Sequence, residues 1–493
     1  MEGEDPDTGT TDAPTTTDGT PPDGTPTMLF GTFRLWLTLV GLVTILAGLL
    51  FGYDQGIISG ALGFIQSEFS LSSFMTEVVT SWVTLGALLG ALAAGLLADR
   101  LGRRAAIITA GVLFCVGALV SGFAPDSGVL VIGRLIVGFG VGVASVAAPL
   151  YAAELAPAAT RGRFVSSYQL AITIGILAAY IIDDLLSSSG NWRLMLAGAA
   201  VPGAALVLAM ALMPETPRWL VRASRREQAA TVVTRMRGSD HVEEALAAID
   251  ADLRDEADQP SWGEVFGRAL RRPLLIGVGL AVFQQITGIN AIIYYADEIF
   301  AEAGFTTPEE QARATLYAVG VVNVLATFIA VAYVDRFGRK PLLEAGLVGM
   351  FVSLAGVGAA FLAFDESTTA GGGPSTVGIL TVIGLVVFIA SFAFSLGPVV
   401  WTMISEIYPN RVRGRAVAVA TAANWGAAFL VSQSFLSVVD AIGVGHTFWI
   451  FAGFCVVAFV WIRLRVPETK GRSLEEIAQM WSTEGDAHTE AAR

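Results

Sequence analysis

The chain has 493 residues, of which 54% are hydrophobic and only 15% charged, against roughly 25% charged in an average soluble domain. Those figures exclude a disordered or fibrous chain and argue against a soluble enzyme; a bilayer protein fits, because its outer surface needs no charge. The net charge of −13 gives no basic surface for a nucleic acid.

Residues 1–33 are expected to form a disordered acidic tail. Seven acids (Glu2, Glu4, Asp5, Asp7, Asp12, Asp18 and Asp23) and no base occur in residues 1–27, and a Thr/Pro/Gly/Asp composition buries no core. The stretch lacks the basic start and apolar run of a signal peptide. Only Lys340 and Lys470 are lysine among 30 basic residues. That bias fits a high-salt cytoplasm or a GC-rich genome equally well.

Beyond the tail the apolar residues fall into blocks of the ~20 residues a helix needs to cross a ~30 Å hydrocarbon layer. The predicted spans are roughly 34–60, 78–98, 105–124, 129–153, 164–186, 193–213, 273–300, 314–334, 341–364, 376–404, 412–440 and 445–466. Hydrophobicity is continuous rather than alternating, which means helices and not barrel strands. The fold class is therefore an all-α membrane protein, with six-helix bundles at 34–213 and 273–466. A cytoplasmic helical insert at 214–272 separates them, and 467–493 form a C-terminal tail.

In the first span Phe51-Gly52-Tyr53-Asp54-Gln55-Gly56 places an acid about 20 residues, or ~30 Å of helical rise, from the starting end. Arg134 enters the fourth span from the opposite side and reaches similar depth. A lone charge at a helix centre costs roughly 2.5–3.5 kcal/mol on insertion scales, so the two are predicted to pair. Such a pair either staples two helices or couples protonation to conformation, since an acid released from its arginine can take a proton.

Further along, Gln169 is a polar residue in span 5. Span 7 carries Gln284, Gln285 and Asn290; five residues apart, Gln285 and Asn290 cannot share a face of an intact helix. Gly288 between them predicts local unwinding. Asn323 lies in span 8 and Asn424 in span 11. Trp401 follows Gly397-Pro398, a second predicted break. Carboxamides offer donors and acceptors together, which suits neutral hydroxyl-rich ligands. The same residues can instead glue helices together.

The two halves repeat. Asp99-Arg100-Leu101-Gly102-Arg103-Arg104 recurs 236 residues later as Asp335-Arg336-Phe337-Gly338-Arg339-Lys340. Glu154 with Arg161-Gly162-Arg163 recurs as Glu406 with Arg413-Gly414-Arg415, and Pro214-Glu215-Thr216 as Pro467-Glu468-Thr469. The offset grows between the first and second pairs, which places an insertion near the Gly371–Gly373 loop. Repeated bundles are the plan of proteins that alternate access around a central site. The acids and arginines sit where helices leave the bilayer. They form either a latch between bundles (Asp99, Arg100, Glu154 with Arg161 or Arg413, Asp335, Arg336, Glu406) or a topology signal that binds lipid headgroups. Arginines crowd one set of loops, and ten lie in the insert, so both termini are expected in the cytoplasm.

Cys115 and Cys455 lie inside apolar blocks, and His241, His446 and His488 are scattered, so no disulfide, metal or cofactor is expected. No G-x-x-x-x-G-K-[S/T] loop is present, which argues against an ATP-driven pump.

Together these motifs, with Pro214-Glu215-Thr216-Pro217-Arg218-Trp219-Leu220 and Pro467-Glu468-Thr469-Lys470-Gly471, resemble the sugar porter family of the major facilitator superfamily over nearly all of residues 34–477. The resemblance implies a twelve-helix transporter, not an enzyme, that moves a hexose or pentose across the cell membrane and usually works as a monomer. By motif it implies Gln169, Gln284, Gln285, Asn290, Asn323, Trp401 and Asn424 as sugar ligands, and an acid at Asp54 implies proton symport. A sodium-coupled or uncoupled facilitator is the alternative, and a membrane sugar sensor is disfavoured. At Asn424, Ile176 and Ala199 the chain departs from some bacterial pentose symporters toward animal glucose facilitators.

Overall fold

A computed structural model describes residues 27–155, 161–237, 242–257, 262–364, 375–409, 412–470 and 476. Residues 1–26, the expected insertion near Gly371–Gly373 and the C-terminal tail after 476 lie outside it, as do the side chains of Arg161 and Asp335.

Twelve helices among the described residues are long and apolar enough to cross a membrane, and no strand occurs among them. In the first half, α1 (Thr27–Phe69), α2 (Ser73–Leu101), α3 (Arg103–Gly122), α4 (Ser127–Leu155) and α5 (Arg161–Ser187) each cross once. The sixth crossing is split into α6 (Trp192–Gly198) and α7 (Ala200–Ala211). Pro202 accounts for that split, because it lacks the N–H that would bond the Gly198 carbonyl.

Short helices follow: α8 (Pro217–Arg222), α9 (Arg226–Arg237), α10 (Val242–Ala257) and α11 (Trp262–Val265). Leu220, Val232, Val233 and Leu246 form a small core of their own there. The second half begins with α12 (Arg271–Ile286), α13 (Ile289–Tyr294) and α14 (Ala296–Glu302). It continues with α15 (Pro308–Thr315), a π turn at Leu316–Val321, α16 (Val322–Phe337) and α17 (Arg339–Ala363). It ends with α18 (Thr376–Phe394), α19 (Leu396–Ile407), α20 (Arg413–Ile442) and α21 (Val444–Arg465).

Two expectations change at α1. Residues 27–33 are helical rather than part of a disordered tail, because Met28, Leu29, Phe30 and Phe33 continue the apolar run. At its other end α1 runs to Phe69 instead of stopping near residue 60. Leu62 and Ile65 are fully buried, so the last turns of α1 still have a core to pack against.

Helices approach closely where side chains vanish. Gly48, Gly52, Gly56 and Gly60 recur at every fourth residue of α1, and a Cβ on any of them would collide with α5. Gly86, Gly90, Gly138 and Gly142 do the same for α2 against α4. Lipid is as apolar as leucine, so membrane helices gain by this close backbone contact rather than by hiding apolar surface from water.

The halves are joined by hydrogen bonds at the end of the bundle away from the chain termini. Ser81 donates to Gln433 at 2.6 Å. The fully buried Glu77 carboxylate accepts from the backbone N–H and hydroxyl of Ser437 at 2.6 and 2.7 Å. The Tyr180 hydroxyl donates to the Ile293 carbonyl at 2.9 Å, and Arg313 faces Asp184 at 3.7 Å. This far-end seam is closed.

Gly52→Val places a branched side chain against the Ile172 carbonyl and is expected to destabilise the bundle by at least the ~1–3 kcal/mol typical of overpacking. Thermal unfolding of the purified protein in detergent checks this; Gly95→Ala, with nothing within 4 Å of the new methyl, is the control that should melt with the parent.

Candidate functional site

Asp54 lies on α1 and Arg134 on α4, and both are almost wholly buried. Their carboxylate oxygen and guanidinium nitrogen are 2.6 Å apart. The guanidinium bonds through Nη1 alone, while Nε and Nη2 are buried without a partner. Next along α1, the Gln55 amide reaches the hydroxyl of Tyr294 on α13, at 3.5 Å, across the divide between the halves.

Span 7 breaks as its sequence requires. α12 ends at Ile286, Gly288 takes φ +99°, and α13 restarts at Ile289. A side chain at that φ is strained. The kink brings Asn290 round so that its amide donates to Gln285 Oε1 at 2.8 Å. Gln285 donates to Gln284 Oε1 and to Asn424 Oδ1, each at 3.3 Å. Asn424 donates to Gln284 Oε1 at 2.8 Å and to the Ala281 carbonyl at 2.9 Å.

The tenth crossing breaks at Ser395, three residues before Pro398. The physical reason is that a proline cannot donate to the carbonyl four residues earlier and its ring crowds that carbonyl. Gln284 donates to the Leu396 carbonyl beside this break, at 2.8 Å. Four expected residues (Gln284, Gln285, Asn290 and Asn424) therefore form one buried carboxamide network. The remaining three do not share its hydrogen bonds. Asn323 is buried on α16, Gln169 is half-buried on α5, and Trp401 is half-buried on α19. Trp425 instead brings an aromatic ring from α20 against Phe51 of α1, with centroids 5.4 Å apart.

At the terminal end the described charged motifs form ion pairs within each half. Glu154 meets Arg103 at 3.0 Å, and the Arg161 side chain of the expected latch lies outside the described residues. Arg103 also meets Asp99 at 3.3 Å, and Asp99 takes Arg222 of α8 at 2.9 Å. In the second half Glu406 pairs with Arg339 at 3.1 Å and accepts from Thr469. Arg413 donates to the Tyr408 carbonyl at 3.1 Å. Arg100 and Arg336 point to the surface. These pairs clamp helices within each half. The loop arginines that make these pairs, Arg103 and Arg339, stand four residues after each motif aspartate, on the next helix beyond a positive-φ glycine.

Glu215 and Glu468 were passed over as site residues. Glu215 accepts from the backbone N–H groups of Arg103 and Arg104, capping α3 from a distant part of the chain. Glu468 does the same for Arg339 and Lys340 at the start of α17. A carboxylate at a helix N-terminus satisfies orphan donors and complements the dipole. Burial lifts the Glu215 carboxyl above its usual range despite those amides. At Glu468 burial acts the same way but is outweighed by the amides of Lys470, Arg339, Lys340 and Thr469, which hold the carboxyl below its usual range.

The family model for sugar (and other) transporters matches residues 40–481. The chain belongs to this family. The transporter is 38% identical over 454 residues to an arabinose-proton symporter of Bacillus subtilis, covering 90% of this chain and 95% of that one. It is 40% identical to the galactose-proton symporter of Escherichia coli, covering 88% and 91%. Among solved structures, the inward-open conformation of the E. coli xylose transporter XylE superimposes with a TM-score of 0.76 at 33% identity, covering 90% of this chain and all of that one. The protein is a twelve-helix membrane transporter of the major facilitator superfamily and not an enzyme.

Two measurements check the site. Asn424→Leu removes a donor and an acceptor from a closed network, so it should lower the melting temperature by the equivalent of ~1–3 kcal/mol, the cost of stranding buried polar groups. Glu468→Gln should destabilise the protein at pH 7 by about 1 kcal/mol, the scale of a charge-assisted cap. Its folded carboxyl lies below the unfolded value of ~4.3, so its contribution is present above that value and lost as pH falls through the folded one. Melting curves of parent and variant should therefore converge toward pH 3.

Proposed function

We propose that the protein imports a monosaccharide together with a proton by alternating access. In this reading Asp54 carries the proton and Arg134 is its counter-ion. Gln284, Gln285, Asn290 and Asn424 supply the central hydroxyl-binding groups, and Gln169, Asn323 and Trp401 complete the walls from other helices. Relatives are named for arabinose, xylose and galactose transport, and these are neutral rings bearing hydroxyls.

Each amide of the network bonds a neighbouring amide. A sugar hydroxyl donates and accepts at once, so it can replace an amide–amide bond without leaving either amide unpaired. No fixed charge sits among the four, which suits an uncharged ligand.

The observation that carries the coupling is the Asp54–Arg134 pair, buried and bonded through one nitrogen. A protonated Asp54 no longer holds Arg134 by charge. The guanidinium, which already has two buried N–H groups unsatisfied, is then free to settle elsewhere. Gln55, beside Asp54, contacts Tyr294, which lies one helical turn beyond Asn290 on α13. The state of the acid thus bears on the helix that carries part of the sugar site.

The cell membrane is the proposed location, with both termini, residues 1–26, the 214–272 insert and the C-terminal tail in the cytoplasm. With that orientation the closed far-end seam makes the conformation inward-facing. The pairs at the terminal end tune opening by holding each half rigid as it rocks.

Asp54→Asn should abolish uphill sugar accumulation in proteoliposomes while counterflow of labelled sugar persists. Addition of a transported sugar should alkalinise a weakly buffered exterior for the parent and not for the variant. Sodium dependence without a pH change would replace the proton by Na⁺, and loss of both accumulation and counterflow would make Asp54 structural.

A further inference from the structure

A second pair of acids lies in the far-end seam, apart from Asp54 and Arg134. Asp183 belongs to α5 of the first half and Asp297 to α14 of the second, and they are only 2% and 9% exposed. Consecutive residues of α1 bridge them: the Gly60 N–H donates to Asp183 Oδ2 at 3.3 Å, and the Ser59 hydroxyl donates to Asp297 Oδ1 at 3.2 Å. The Thr315 hydroxyl donates to the same Asp297 oxygen, and the Asp297 N–H returns a bond to Ser59 at 3.1 Å.

Asp297 is thus served by two hydroxyl donors, as an ionised carboxylate needs. Asp183 is not. Its Oδ1 is buried without a partner, and its carboxyl lies flat against Gly60, where any side chain would collide with it. Among the described residues neither acid makes an ion pair. Arg134 of α4 is held by Asp54, and Arg313 of α15 faces Asp184. The other titratable groups that face the two acids are Tyr53 on α1, Tyr180 on α5 and Glu298 on α14, and none of them supplies a cation.

We infer that Asp183 and Asp297 form a second proton-binding site, built by closure of the seam and dismantled when it opens. Two buried carboxylates without a counter-ion cannot both stay charged. A proton from the far-end solution binds at Asp183 as the halves meet, with the pair titrating as a unit. When the seam opens, water solvates both acids and the proton returns to that solution. Acid on that face therefore favours the shut seam and alkali the open one. The site acts on the gate, whereas Asp54 acts on the sugar helix, so it stands or falls independently of the coupling reading.

The test uses full-length protein in proteoliposomes, with Cys115→Ala and Cys455→Ala and a reporter Gln433→Cys in the seam. Its alkylation by an impermeant maleimide is divided by that of an exposed Ser188→Cys control at each pH, which removes the thiol's own titration. The ratio should rise at least fivefold from pH 5 to pH 8 and become flat in Asp183→Asn or Asp297→Asn. It should still rise in Asp54→Asn. A flat parent, a rise that survives both seam variants, or a rise lost only in Asp54→Asn overturns the proposal. As a check free of the reporter, Asp183→Asn in detergent should melt several degrees above the parent at pH 8 and together with it at pH 5; a variant no more stable at pH 8 would also overturn it.

Discussion

A bilayer interior supplies no water, so every polar group that enters it must be satisfied by another part of the same chain. Much of the structure follows from that condition. Asp54 and Arg134 meet because neither can be left alone at that depth. The four carboxamides bond one another because lipid offers them nothing. Where helices break, at Gly288 and Ser395, the irregular backbone lies inside the bundle, and Gln284 reaches the carbonyls beside the second break.

The same condition explains the terminal-end motifs. The sharp turns after α2 and α16 use glycines at φ +99° and +89° and leave the next helix with open N–H groups. In each half a glutamate far along the chain closes them, Glu215 in one and Glu468 in the other. Arg103 and Arg339 then tie the turn to the fourth and tenth crossings through Glu154 and Glu406. Each half becomes a stiff body, which is what a rocking movement requires.

The repeat also divides the chemistry. The first half holds the acid–guanidinium pair and the second the carboxamides, beside the breaks in the seventh and tenth crossings. The seam between them carries hydroxyls, a tyrosine and a carboxylate in hydrogen bonds. Such bonds exchange with water at modest net cost, so the polar part of the seam can open cheaply. Glycine stripes hold α1 to α5 and α2 to α4 tightly enough to resist that movement.

The twelve crossings, the twofold repeat, the Asp54–Arg134 pair and the kink at Gly288 were legible in the residues themselves. Each follows from a local rule: apolar length, recurrence of a motif, the cost of a buried charge, or the helical angle between Gln285 and Asn290. The far end of α1 was misjudged because Leu62 and Ile65 are held helical by partners distant in the chain. The charged clusters were legible at the helix ends, and so was the pairing of Asp99 with arginines of the loop and of a neighbouring helix; the meeting of Arg103 with Glu154 was not, since spacing along one chain does not say which guanidinium meets an acid. The approach of Asp183 to Asp297 was invisible for the same reason; one sits on each half, and only docking of the halves brings them together. The sequence by itself thus determined how often the chain crosses the membrane and which polar residues must be buried, because those depend on local free energies of transfer. Which of them face one another was decided by tertiary packing, because partner choice depends on geometry across helices that no local pattern encodes.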